Sequence, residues 1–104
     1  MLTQIVVEEG VDWIIHNASI LSAVGEKNPE LAMRVNIDSL NTVFNVARTQ
    51  SSEDFRIRLM VPSSISAFGP STPLDLTPNE TIQKPTTIYG VTKVCTWEMA
   101  LLTL

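Results

Sequence analysis

The chain has 104 residues, 44% of them hydrophobic and 17% charged, with eleven Asp and Glu against seven Lys and Arg and a formal net charge of −4. That length holds at most one globular domain, and scattered basic residues outnumbered by acids form no stripe that neutralises phosphates, which excludes nucleic acid as a partner. One cysteine and one histidine are too few for a disulfide framework or a four-ligand zinc site, so no metal is expected. No apolar run approaches the roughly 20 residues of a membrane-spanning helix. Residues 1–5 (MLTQI) have neither the basic start nor the apolar centre of a signal peptide, so a soluble chain without a targeting segment is expected. The lone Cys95 fits a reducing compartment.

In chain order, residues 2–9 (LTQIVVEE) put Leu2, Ile5, Val6 and Glu9 at helical spacing. Val11-Asp12-Trp13-Ile14-Ile15 is a short apolar run that predicts a buried strand, leading into His16-Asn17-Ala18-Ser19. Asn28-Pro29-Glu30 supplies a capping side chain, a proline at the first helical position and an acid behind it. The stripe Ala32, Asn36, Leu40, Val43 and Ala47 then predicts one helix to near Arg48. Residues 55–61 (FRIRLMV) alternate and then turn wholly apolar, as a strand entering a sheet does, and Pro62-Ser63-Ser64 ends them. Residues 69–87 carry four of the six prolines and read as one long loop, of the kind that serves as a binding or lid segment or as a plain surface excursion. A last helix runs from about Thr87 to the end. Strands separated by helices predict an α/β fold with parallel strands joined by crossovers. Because the sequence opens and stops inside helical patterns, it reads as a piece of a longer protein.

Tyr89 and Lys93 lie four residues apart at the start of that last helix, so both side chains leave one face. An ammonium one turn from a phenol favours the phenolate, and such a tyrosine can act as a general acid or base. Ser64 stands just beyond an apolar strand, at the carboxyl edge where open parallel sheets hold ligands. Taken alone, Ser63-Ser64 is a turn and the Tyr89–Lys93 pair is a helix surface pair; together they converge on one edge. His16-Asn17-Ala18-Ser19 ends the other strand at the same edge, either as a tight turn or as small residues over which a flat ligand can approach. Asn36 interrupts an apolar stripe, so its amide needs a carbonyl, a water or a ligand. His16 reads as structural, and Trp13 and Trp97 as packing.

These residues together resemble a known family. Asn17-Ala18-Ser19, Asn36, Ser63-Ser64-Ile65-Ser66-Ala67-Phe68-Gly69 and Tyr89-Gly90-Val91-Thr92-Lys93 are similar to the extended short-chain dehydrogenases/reductases, the group of the nucleotide-sugar epimerases. Residues 21–26 (LSAVGE), 61–70 (VPSSISAFGP) and 87–91 (TIYGV) look most like the epimerase-type L-threonine 3-dehydrogenases within it. The resemblance covers nearly the whole chain. It implies part of a Rossmann-type doubly wound parallel sheet, NAD as cofactor, and oxidation of L-threonine at its 3-hydroxyl to 2-amino-3-ketobutyrate. Carried over, Tyr89 is the proton acceptor, Lys93 assists it and holds the nicotinamide ribose, and Ser64 orients the substrate hydroxyl. Asn17, Ala18 and Ser19 line the cofactor's path, Asn36 holds the hydrogen-bond network beside it, and Ser22 contacts the substrate amino acid. A homodimer is implied for the longer protein, and a mitochondrial location if it is eukaryotic, a cytoplasmic one otherwise.

The family's opening Gly-x-x-Gly-x-x-Gly turn, which receives the pyrophosphate at a helix N-terminus, has no counterpart among glycines 10, 25, 69 and 90. Residues 1–104 are therefore read as the central, catalytic part of the NAD-binding domain, without the glycine-rich loop and without the C-terminal substrate part. The alternatives are a nucleotide-sugar epimerase or dehydratase of the same superfamily, and a truncated, non-catalytic remnant.

Overall fold

The computed structural model describes residues 1–103, the side chains of 101–103 excepted. Two short strands, β1 (Trp13–Ile15) and β2 (Arg58–Met60), pair in parallel with Ile14 opposite Leu59. The ladder is extended at its ends by Arg58 N–H to the Asp12 carbonyl and His16 N–H to the Met60 carbonyl. Both strands are shorter than their apolar runs, and those two bonds close the ladder.

One face of this pair is covered. Helix α1 (Leu2–Glu8) brings Val6, which clusters with Val46, Ala47 and Ile57, with Leu2, Val11 and Ile14 packed against them. The opposite face carries Trp13, Ile15 and Met60, each about half exposed at 52%, 58% and 51%. This corrects the expectation of a buried first strand and of a packed Trp13. Alternation sends successive side chains to opposite faces, and only the Ile14 face has helices on it; Trp13 lies instead under the Arg58 guanidinium, 5.5 Å from its ring centroid. Trp97 is also exposed, at 55%, against the packing expected of it, because it stands on the side of the last helix that opens onto a cleft.

Asn28 caps α3 (Pro29–Met33) by accepting the Leu31 N–H, as its sequence predicts. The long helix continues through α4 (Ser39–Gln50), with Ala32, Asn36, Leu40, Val43 and Ala47 all buried. Its middle, Arg34–Asp38, is a turn of π-helix that the periodicity does not reveal. Ser22–Lys27, too short a segment to carry a full apolar period, form a short helix, α2. Gly25 is the reason it fits: a Cβ there would meet Ile88 Cγ2 at 3.2 Å and Ala32 Cβ at 3.3 Å. Past β2, Ile65–Ala67 make a single 3₁₀ turn.

Residues 68–87 hold no helix or strand. The ends of this loop are drawn together where Gly69 passes the Lys84 carbonyl so closely that a Cβ would stand 2.0 Å from it. Helix α5 (Ile88–Thr103) then packs on α2, α3, the π turn, α4 and the 3₁₀ turn. No described helix is long and apolar enough to cross a membrane.

Candidate active site

The site is assembled where β2 ends and α5 begins. Ser64 leaves the strand in an extended conformation, and its Oγ accepts the Ser66 N–H at 3.2 Å, starting the 3₁₀ turn. That bond occupies a lone pair of the hydroxyl and leaves its proton available to a ligand oxygen. The 3₁₀ turn rests directly on the first turn of α5, and Gly90 permits this: a Cβ at that position would stand 2.1 Å from the Ser66 carbonyl oxygen. The glycine beside Tyr89 is thus a contact requirement between two backbones, which fixes the serine segment against the tyrosine's helix.

Lys93 is 9% exposed. Its Nζ donates to the Pro62 carbonyl at 3.0 Å and lies 5.5 Å from the centroid of the Tyr89 ring. A buried ammonium is costly unless it is bonded, and the strand-end carbonyl supplies that bond while leaving two of its three donors for other groups. Tyr89 itself is half-buried.

Behind these groups runs a buried network. Asn36 Oδ1 accepts the Ile20 N–H at 2.7 Å; its Nδ2 donates to the Ile20 carbonyl at 3.0 Å and to Thr92 Oγ1 at 3.1 Å. Thr92, 1% exposed, donates a hydrogen bond from its Oγ1 to the Tyr89 carbonyl at 2.7 Å. The Asn36 amide therefore meets protein partners, which resolves the choice left open by its sequence context. It also joins three elements: the segment after β1, the π turn and the tyrosine's turn of α5. The π turn is the local device that aims Asn36 at both Ile20 and Thr92, a use typical of such insertions.

His16, Ala18, Ser19, Asn36, Thr92 and Lys93 line one small gap of about 10 Å³. Ser19 Oγ is buried with no hydrogen-bond partner, whereas Asn17 and Ala18 are exposed beside it. The gap itself admits no more than about one water, while Lys93 keeps unused donors of the kind that a ribose diol satisfies, which suits the nicotinamide-ribose end of NAD. Nothing in the sequence supplies a glycine turn for the pyrophosphate. His16 Nε2 stands 3.2 Å from Ser39 Oγ, and burial, then the Lys93 charge, lower its pKa below 6.5. It is held neutral by its surroundings and has no carboxylate partner here, in keeping with a structural reading.

Ser22 is half-buried at the first position of α2. The structure thus gathers Ser64, Tyr89 and Lys93 at one junction, with Ala18, Ser19 and Asn36 lining the adjoining gap. Sequence reasoning missed Thr92, whose signal is only a threonine three residues after Tyr89, and Glu26, which carries no local signal at all.

The NAD dependent epimerase/dehydratase family matches residues 1–102. The chain belongs to this family. Its sequence is 50% identical over 93 residues to the pig protein "L-threonine 3-dehydrogenase, mitochondrial", covering 89% of this chain and 24% of that protein. A human relative named "Inactive L-threonine 3-dehydrogenase, mitochondrial" is 45% identical over the same length, 38% of its own. Among solved structures, L-threonine dehydrogenase from Phytophthora infestans superposes with a TM-score of 0.82 at 49% identity, covering 91% of this chain and 29% of that one. The fold is accordingly part of the family's Rossmann-type α/β sheet, and the family's cofactor is NAD. The chain spans about a quarter of the pig relative's length.

Proposed function

We propose that residues 1–104 are the catalytic middle of the NAD-binding domain of an NAD-dependent L-threonine 3-dehydrogenase. The observation that carries this reading is the Lys93 ammonium, buried, bonded to Pro62 and 5.5 Å from the Tyr89 ring. Half-identity to a relative bearing that enzyme's name supports the substrate. Tyr89 takes the proton of the substrate's 3-hydroxyl while C3 is oxidised to a ketone. Ser64 donates its free proton to the same oxygen and so orients it. Lys93 sets its side-chain nitrogen beside the phenol and holds the ribose, along a path lined by Asn17, Ala18 and Ser19. Asn36 keeps that path in register with α5. NAD, when bound, supplies the two-electron oxidant. Ser22 contacts the amino acid. Fixing the hydroxyl between two side chains of known position is how such sites lower a barrier. A homodimer and a mitochondrial setting belong to the same reading, supported by the relatives' names for the latter.

A non-catalytic role is the second reading, favoured by the human relative whose name contains "Inactive". The test follows NADH absorbance with L-threonine, L-serine and UDP-galactose offered separately. Turnover of L-threonine alone is expected. Turnover of the sugar nucleotide without threonine would move the assignment to an epimerase or dehydratase, and silence with all three supports the non-catalytic reading.

A further inference from the structure

The short helix α2 makes one contact that the proposed chemistry does not use. Glu26 Oε1 accepts the backbone N–H of Ile88 at 2.7 Å, across 62 residues of sequence. Ile88 is the first residue of α5, and the first amides of a helix have no partner within it. A carboxylate at this end also meets the positive pole of the helix. Glu26 is itself exposed, but the neighbouring Gly25 is buried and seated against the same Ile88 side chain, which fixes where the carboxylate starts from. Tyr89 follows immediately. Its turn is also held by Thr87 Oγ1, which accepts the Gly90 N–H at 3.0 Å, and by the close approach of Gly90 to the Ser66 carbonyl. Glu26 is the one side chain from α2 that bonds to this turn among the described residues.

We propose that Glu26 is a positioning residue for Tyr89. By holding the Ile88 amide it sets the first turn of α5, so that the Tyr89 ring stays against Lys93. Because Ser22 opens the same six-residue helix, the bond also ties the tyrosine's turn to the segment that meets the substrate. This rests on the role proposed for Tyr89.

The test compares the 104-residue chain with Glu26→Ala and Glu26→Gln, the second keeping an oxygen acceptor of the same reach. Two readouts are taken: hydrogen exchange of the Ile88 amide, and the nuclear Overhauser effect from the ring of Tyr89, the only tyrosine, to the Lys93 side chain. In Glu26→Ala the amide exchanges at least about tenfold faster and the ring-to-lysine effect disappears, while circular dichroism is unchanged. Glu26→Gln restores both. The inference is overturned if the alanine variant keeps the ring-to-lysine effect, if glutamine fails to restore it, or if the unaltered chain lacks it. Loss of helix throughout Glu26→Ala overturns it too, since the bond would then serve general stability. Neither readout needs turnover. A chain that passes both and oxidises no threonine removes the substrate assignment and leaves the positioning of Tyr89 by Glu26 standing.

Discussion

Lys93 shows how one residue is given two obligations. Burial requires its charge to be bonded, and the bond to Pro62 anchors α5 to the end of β2, while the Tyr89 ring stands 5.5 Å from the same Nζ. Removing the charge and removing the phenol therefore differ in kind. Tyr89→Phe takes away only the proton acceptor, so in a protein containing this segment that turns over threonine it should lower kcat by about 10²–10⁴ with little change in NAD affinity. Lys93→Met should damage both, and isothermal titration with NAD beside steady-state rates separates the two. Retention of more than about a tenth of kcat in Tyr89→Phe would remove the general-base role. His16 gives a prediction in pH. Its pKa is lower in the folded chain than the ordinary 6.5, through burial and then Lys93, so the unfolded chain binds the proton first on acidification. Its stabilising effect is complete above about pH 6.5 and is lost as pH falls through the lowered value. The urea midpoint should drop between about pH 7.5 and 5.5, and His16→Gln should flatten that drop.

At the scale of elements, the π turn of Arg34–Asp38 holds the site together. A regular helix would keep the apolar stripe but would aim the Asn36 amide along a different line. With the extra residue in the turn, one side chain closes three bonds, to both backbone groups of Ile20 and to Thr92. Asn36→Ala should therefore cost more than its small volume suggests. It strands buried groups that each cost about 1–3 kcal/mol when left without a partner. A fall of at least about 2 kcal/mol in urea-unfolding free energy is expected, and a loss below about 0.5 kcal/mol would show that water replaces the amide without penalty. The stripe Ala32 to Ala47 made the helix legible in sequence; the π turn was not, since the spacings of four at 32, 36 and 40 fit an α-helix and a wider π turn alike.

At the scale of the whole molecule, the α-helices lie to one side of a two-stranded sheet. The radius of gyration is 15.5 Å, against about 13 Å for a compact chain of this length. Trp13, Ile15 and Met60 present an apolar strip beside strand edges with unpaired backbone groups, the arrangement that templates association. The chain should self-associate, its gel-filtration volume falling as concentration rises, and Ile15→Lys should shift it back toward a monomer. A concentration-independent monomer for the unaltered chain would show that the face is protected in solution.

Much of this architecture follows from local chemistry. The cap of Asn28 and Pro29, the apolar stripe of the long helix, the two apolar runs and the proline-rich segment each carry their instruction within a few residues. The pairing of Tyr89 with Lys93 needs only helical spacing. What the tertiary structure alone decided are the features built from residues far apart in the chain. Residues 22–27 are too few to carry a full apolar period, and α2 exists where it does because Gly25 and Glu26 meet α5. Gly90 looks like any helix glycine until the Ser66 carbonyl is seen against it. Which side of β1 is buried could not be read from Trp13–Ile15, because three apolar residues in succession put apolar side chains on both faces of the strand and only the helices packed on the Ile14 face distinguish them.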